Sequence, residues 1–149
     1  MNDFLNQNTQ TERLDRKSFG FWFAIFIAAV ALTQVIRMFI LHFSVTHFLN
    51  DKFAFSINIP LIVIYGIYIL VMIAIILFLK KEWTKISSSK KLGFIFIIAG
   101  GGANIFERII FSQVTDYIFI LNGVLNLADL YIIFGVLCVL IDKEIFKRK

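Results

Sequence analysis

The sequence has one cysteine, one proline and little charge. Cys138 stands alone inside an apolar run, which excludes a disulfide framework and a cysteine metal site. Charged residues make up only 17% of the 149 positions, whereas 59% are hydrophobic and 18 are phenylalanine. A soluble domain of this size could not bury so much apolar surface, which a bilayer would solvate. We therefore expect a single integral membrane domain over residues 1–149.

Motifs of several soluble protein classes are also missing. No glycine-rich phosphate loop follows a strand, and no serine or cysteine stands in a recognisable nucleophile setting. His42 and His47 are five residues apart with no convincing further ligands, so we expect no metal site and no cofactor. The formal net charge of +5 does not indicate nucleic-acid binding, because the lysines cluster beside apolar runs as in membrane proteins.

Four apolar segments are long enough to cross a bilayer, at about residues 19–41, 59–79, 92–110 and 124–141. They predict an all-α membrane protein with four transmembrane helices. Pro60 suits the first turn of the second helix, and the AGGGA sequence at 99–103 lets neighbouring helices approach the third. Residues 42–58 mix aromatic, β-branched and polar side chains, which predicts a small extended, β-like segment between the first two helices.

The distribution of lysine and arginine predicts the orientation of these helices. The N-terminal tail carries three of these residues, the 80–91 loop five and the C-terminal tail four. The 42–58 loop carries one and the 111–123 loop none. Because positive charge is retained on the cytoplasmic side, both termini and the 80–91 loop should lie in the cytoplasm. The other two loops then face outward.

Polar residues gather at the outer ends of the last two helices: Asn104, Glu107, Arg108, Asp116, Asn126 and Asp129. Such groups are costly at membrane depth and therefore indicate function. Four of them also have a plain structural explanation, and the side chains of Glu107 and Arg108 can extend to the interface. Asp129 can cap its helix or pair with Arg108, and Asp116 alone is an ordinary loop acid.

The two aspartates have a chemistry together that neither has alone. Two carboxyl groups that meet cannot both ionise cheaply, so the pair shares a proton. One carboxylate can then take a proton from water while the protonated partner polarises a peptide carbonyl. We therefore expect Asp116 and Asp129 to form the catalytic pair of a membrane-embedded aspartyl hydrolase.

A small transporter or channel subunit is the alternative, with Glu107, Arg108 and Asp129 as an ion relay. It requires polar positions that continue toward the cytoplasmic side. The second apolar segment carries no charge, and residues 130–141 offer only Tyr131 and Cys138 as weakly polar groups. The missing polar path disfavours this alternative.

Three short motifs resemble those of the lipoprotein signal peptidase family, signal peptidase II. The family patterns N-x-x-D-R, V-x-D-[FY] and F-N-x-A-D correspond here to Asn104-Ile-Phe-Glu107-Arg108, Val114-Thr-Asp116-Tyr117 and Leu125-Asn126-Leu-Ala-Asp129. Weaker matches are Asn50 to Ser56 for N-x-G-x-A-F-S, and Thr33-Gln34 with Arg37 for D-Q-x-x-K. Glu107 and Thr33 replace family aspartates, Lys52 replaces a glycine, and the interval between Asp116 and Asp129 is shorter than usual.

The resemblance implies an aspartic endopeptidase that removes signal peptides from diacylglyceryl-modified prolipoproteins. Asp116 and Asp129 would be its catalytic dyad. The residues that would position the substrate or the dyad are Asn50, Asn104, Arg108 and Asn126, with Glu107 as a further supporting residue. The implied partners are prolipoprotein substrates and membrane lipids, and no nucleic acid. We expect a monomeric, multi-pass protein of the bacterial cytoplasmic membrane, with its site near the outer face.

Overall fold

The computed structural model describes residues 2–51, 60–121 and 123–141, with side chains from residue 18 onward except that of Leu61. In this part of the chain the helices are α1 (Asn2–His42), α2 (Leu61–Glu82), α3 (Ser88–Phe111) and α4 (Leu127–Ile141). The strands are β1 (Phe48–Asn50), β2 (Val114–Asp116), β3 (Ile118–Ile120) and β4 (Gly123–Leu125). The predicted extended segment and weak motif beyond residue 51, and the basic tail at 142–149, lie outside the described residues.

Three of these helices are long and apolar enough to cross a membrane, at Ser18–His42, Ile62–Glu82 and Ser88–Phe111 within the described residues. The fourth, α4, is apolar but shorter, with 15 residues. Large apolar side chains cover the outside of the helices, such as Ile62 and Leu70 on α2, each at least 70% exposed. So much exposed apolar surface fits a helix bundle that lipid surrounds.

Glycines allow α3 and α4 to pack closely. A Cβ atom at Gly100 would collide with the carbonyl oxygen of Ala128, and one at Gly93 would lie 2.7 Å from the carbonyl oxygen of Gly135. Close approach of backbones through small residues is a common way to join helices in membranes. The glycine-rich segment of α3 therefore serves packing at Gly100, whereas a Cβ at Gly102 would have no such neighbour within 4 Å.

Both ends of α3 carry capping residues. The Ser87 hydroxyl accepts a hydrogen bond from the Lys90 N–H at 3.2 Å, as N-cap serines do. At the other end Ser112 has a left-handed backbone conformation with φ 59°, and its N–H donates to the Arg108 carbonyl at 2.9 Å. This turn leads from α3 directly into β2.

The strands form two antiparallel pairs. β1 pairs with β2, with Asn50 opposite Val114 and Phe48 opposite Asp116. β3 pairs with β4 in a tight hairpin, with Ile120 opposite Gly123. The first pair connects the segment after α1 with the segment after α3. Each strand has only three residues and is too short to be stable alone, so each depends on its partner.

These strands produce two differences from the sequence-based expectations. The sequence predicted an extended segment only between the first two helices, yet β2, β3 and β4 follow α3. The fourth helix was expected from Val124, but α4 begins at Leu127 because Val124 and Leu125 pair with β3.

Candidate active site

The buried polar side chains of the described residues are concentrated where α3, β2 and the start of α4 meet. This set comprises Asn104, Glu107, Arg108, Thr115, Asp116 and Asn126, with Thr33 on α1 as a further buried polar residue. An unsatisfied polar group in such a place costs about 1–3 kcal/mol, so buried polar groups are normally hydrogen-bonded. Their partners therefore define the geometry of the site.

Asn126 and Asp129 cap the start of α4 reciprocally. The Asp129 N–H donates to Asn126 Oδ1 at 3.0 Å, and the Asn126 N–H donates to Asp129 Oδ2 at 3.1 Å. This is a capping-box arrangement, which satisfies two N–H groups that a helix start leaves without partners inside the helix. The cap fixes the Asp129 carboxyl at the N-terminus of α4, where the helix dipole also favours a negative charge.

The side-chain amide of Asn126 links Asp116 to the start of α4. Its Nδ2 donates to Asp116 Oδ1 at 2.8 Å and to Asn104 Oδ1 at 3.1 Å. Asn104 Nδ2 in turn donates to Asp129 Oδ1 at 2.9 Å. Both aspartates are thus hydrogen-bonded to Asn126, and Asn104 closes the network from α3.

Asn50 reaches Asp116 from the other outer loop. The pairing of β1 with β2 brings it across, and its Nδ2 donates to Asp116 Oδ2 at 2.9 Å. Each oxygen of the Asp116 carboxyl therefore accepts from an asparagine amide. Burial nevertheless raises the pKa of Asp116 above its usual value, although the two amides oppose this shift. The nearby Asp129 raises the pKa of Asp116 further, and Arg108 lowers it.

Arg108 lies beside this network on α3. Its Nη1 donates to the Asn104 carbonyl at 3.4 Å, one turn back along the helix. Its own carbonyl accepts from the Tyr65 hydroxyl of α2 at 3.2 Å and from the Ser112 N–H. Arg108 and Asp116 are both buried, so the guanidinium acts as a fixed positive charge near the Asp116 carboxyl.

Glu107 faces a different set of partners. Its carboxylate accepts from the Thr115 N–H at 3.0 Å and lies 3.3 Å from Arg37 Nε. Gln34 Nε2 donates to its other oxygen at 3.5 Å. Glu107 is therefore joined to α1 and to the backbone of β2. Its contact in β2 is with Thr115, the residue directly before Asp116.

The structure brings together five of the residues expected in the site, in one hydrogen-bonded network: Asn50, Asn104, Asp116, Asn126 and Asp129. Arg108 lies against this network, and Glu107 lies on the far side of β2 from it. Within residues 2–51, 60–121 and 123–141, no group of three histidine, cysteine or acidic side chains is arranged to hold a metal ion.

Comparisons with known proteins identify the family of the chain. A family model described as signal peptidase (SPase) II matches residues 19–145. The chain belongs to the signal peptidase II family. This confirms the resemblance carried by the three motifs, which all lie inside the matched range.

Individual relatives of this peptidase match along most of their length. A lipoprotein signal peptidase of Bartonella henselae is 32% identical over 160 residues, which cover 91% of this chain and 97% of that protein. One of Bartonella quintana is 30% identical over 152 residues, which cover 87% and 90%. The chain therefore spans nearly the whole of both relatives.

Solved structures share the fold of this peptidase. Two structures of a bacterial membrane enzyme, determined by the in meso method at 2.3 and 1.9 Å resolution, superpose with TM-scores of 0.67 and 0.71. Both are 18% identical to this chain and cover 87% of it, with 93% and 95% of their own chains matched. At this identity the likeness concerns the fold alone.

The structure adds polar contacts that were not expected in the site. Arg37 and Gln34 of α1 reach Glu107, and the Thr115 hydroxyl accepts from Arg37 Nε at 3.2 Å. Tyr117 accepts from the Leu127 N–H at 3.2 Å and so holds the start of α4. The sequence offered signals for them, since Gln34 and Arg37 lie in the weak match to the family pattern D-Q-x-x-K and Tyr117 ends the V-x-D-[FY] motif.

Proposed function

We propose that this protein is an aspartic endopeptidase that removes the signal peptide from prolipoproteins, with Asp116 and Asp129 as its catalytic dyad. Membership of the signal peptidase II family and relatives named lipoprotein signal peptidase support the lipoprotein substrate. The observation that supports the dyad is that one residue, Asn126, donates hydrogen bonds to the carboxyl groups of both aspartates. This shared partner holds the two carboxyl groups close to one another, as a dyad requires.

The proposed reaction needs only water and the two carboxyl groups. One carboxylate takes a proton from water as the water oxygen attacks the scissile carbonyl carbon, while the protonated partner donates to the carbonyl oxygen. Collapse of the resulting diol breaks the C–N bond. The carboxyl that took the proton from water passes it to the leaving amine of the modified cysteine. The other carboxylate takes its proton back from a hydroxyl of the diol. The raised pKa of Asp116 supports a pair that retains one proton.

The remaining site residues are proposed to hold this pair and the peptide. Asn50 and Asn126 bind the Asp116 carboxyl, and Asn104 binds that of Asp129. Hydrogen bonds to carboxylates are stronger than those between neutral groups, so the amides restrict both carboxyl groups to one geometry. The buried Arg108 offers a fixed positive charge that can stabilise the negative charge developing on the carbonyl oxygen in the transition state, before that oxygen is protonated.

We also propose four membrane spans, with both termini in the cytoplasm and the site near the outer face of a bacterial cytoplasmic membrane. The lysine and arginine distribution supports this orientation. In this orientation Asp129, in the first turn of α4, lies at the end of the helix that faces the outer side of the membrane.

A transporter with Glu107, Arg108 and Asp129 as a relay is not favoured. Glu107 is committed to Arg37 and the β2 backbone, whereas Asp129 is committed to Asn104 and the start of α4. The two acids therefore belong to separate sets of contacts. Family membership also supports hydrolysis over transport.

Purified protein in detergent micelles tests the proposal with a precursor that carries a diacylglyceryl-modified cysteine. Mass spectrometry should find one cut, directly before that cysteine. The same precursor without the lipid is the control and should be cut far more slowly. Intact lipidated precursor after long incubation would contradict the proposal, and ion flux in liposomes without any proteolysis would favour the transporter.

A further inference from the structure

Arg37 of α1 contacts three residues of α3 and β2. Its Nε lies 3.3 Å from the Glu107 carboxylate of α3 and donates to the Thr115 hydroxyl of β2 at 3.2 Å. Its guanidinium carbon also lies 3.7 Å from the centre of the Phe111 ring, a cation–π contact at the last residue of α3. The turn between α3 and β2 is therefore held on one side by a single side chain.

Glu107 holds the backbone of the same strand. Its carboxylate accepts from the Thr115 N–H, so this amide points away from β1 and toward α3. In an antiparallel pair every second residue directs its N–H outward, where it needs another partner. Glu107 supplies that partner, and Arg37 in turn neutralises Glu107.

The strand geometry connects this contact with the aspartate that follows. Successive side chains of a strand point to opposite faces, so Thr115 and Asp116 project in opposite directions. Thr115 meets Arg37 on one face, while Asp116 meets Asn50 and Asn126 on the other. A shift of β2 relative to α3 would therefore displace the Asp116 carboxyl from the asparagines that orient it.

We propose that Arg37 and Glu107 are positioning residues that fix β2 and thereby set the place of Asp116 relative to Asp129. This role rests on the proposed function, because it concerns the geometry of the proposed dyad. Arg37 and Glu107 contact neither aspartate through the hydrogen bonds described above. They act through the Thr115 backbone and side chain.

The burial of the pair determines how it must be tested. The side chains of Arg37 and Glu107 are only 12% and 7% exposed. Removal of one partner leaves the other as an uncompensated buried charge, which destabilises a protein whatever the role of the pair. Removal of both avoids that effect, since an apolar replacement of a buried ion pair is often well tolerated.

The decisive experiment compares Arg37→Met, Glu107→Met and the double variant. We expect each single variant to lose thermal stability and activity. The double variant should regain most of the thermal stability, yet its kcat should stay about 100-fold below that of the parent with little change in KM, because misplacement by about 1 Å has that effect on a reacting group. Recovery of kcat together with stability would overturn the proposal and leave the pair a purely structural role.

A second variant covers the case in which the double variant does not fold. Thr115→Val keeps the shape of the side chain and removes only the hydroxyl that Arg37 binds. We expect a lower kcat at an unchanged unfolding temperature, and a parental kcat would overturn the proposal. Glu82→Gln is the control, because it removes a partly exposed ion pair to Lys85, 3.2 Å long, at the other end of α3 from Glu107. Its kcat should not change.

A failure of this inference can be told apart from a failure of the proposed function. If Asp116→Asn abolishes cleavage while the double variant and Thr115→Val cleave at the parental rate, the dyad stands and the positioning role falls. If Asp116→Asn cleaves normally, the dyad itself is wrong.

Discussion

Asn126 and Asp129 combine a helix cap with the proposed site, two roles that the sequence presents as alternatives for Asp129. Its side-chain oxygen caps α4 in the pair with Asp129, and its amide donates to Asp116 and Asn104. A capping role for Asp129 was the plain explanation of that residue, opposed to a catalytic one. The structure shows the capping geometry, and in the proposed enzyme the cap is the means by which the carboxyl is held in place.

The amide of Asn50 should influence the pH dependence of cleavage. It donates to the Asp116 carboxylate and so favours the charged form, in opposition to burial, which raises the pKa of Asp116. Asn50→Ala removes this donor, so the pKa of Asp116 should rise further. The acidic limb of kcat/KM, which reports the free enzyme, should therefore move to higher pH.

A neighbouring residue provides the control for this shift. Leu49→Ala alters the same strand at an exposed side chain that is opposite Thr115 rather than the carboxyl. Its acidic limb should coincide with that of the parent protein. An acidic limb that stays in place in Asn50→Ala, or moves to lower pH, would show that Asn50 does not stabilise a catalytic carboxylate.

At the scale of the elements, the helices were predictable and the strands largely were not. Long apolar runs determine α2 and α3, because the hydrophobic length that spans a bilayer is visible in the sequence. Strands of three residues carry too little pattern, and their pairing depends on partners far along the chain. β1 and β2 are separated by the whole of α2 and α3, so their register could not be derived locally.

The contact between α3 and α4 should depend on Gly100. Gly100→Ala would push a methyl group into the carbonyl oxygen of Ala128, next to the residues that start α4. Overpacking of this kind costs about 1–3 kcal/mol. Thermal unfolding of the purified variant in detergent should therefore occur at a clearly lower temperature.

Gly102→Ala is the matched control on the same helix. A Cβ at Gly102 has no neighbour within 4 Å beyond its adjacent backbone, and alanine favours a helix over glycine by about 0.8–1 kcal/mol in water. Its unfolding temperature should be equal to that of the parent protein or slightly higher. Equal destabilisation by both substitutions would contradict the proposed packing role of Gly100.

At the scale of the whole molecule, the sequence predicted which residues meet but not how they are supported. From the sequence, Asn104, Asp116, Asn126 and Asp129 were expected in one region, because they lie at the outer ends of the last two helices or in the connection between them. The contact of Arg37 with Glu107 joins residues 70 positions apart, and only the packing of α1 on α3 reveals it. Glu107, grouped with the dyad from sequence, instead holds the far side of β2.

The proposed orientation can be measured with single cysteines in a Cys138→Ser background. Thr46→Cys lies in the exposed loop after α1, and Lys85→Cys lies in the exposed loop between α2 and α3. A membrane-impermeant maleimide added to intact spheroplasts should label Thr46→Cys at once. It should label Lys85→Cys only after the membrane is permeabilised, and the reverse pattern would contradict the topology.

The most direct test of the account is a single-turnover cleavage assay of Asp116→Asn and Asp129→Asn with lipidated precursor. Each substitution keeps the size of the side chain and removes the carboxyl that shares the proton. We predict that both purified variants remain folded and bind precursor, yet release no detectable signal peptide. Cleavage by either variant at the parental rate would show that Asp116 and Asp129 are not the catalytic dyad.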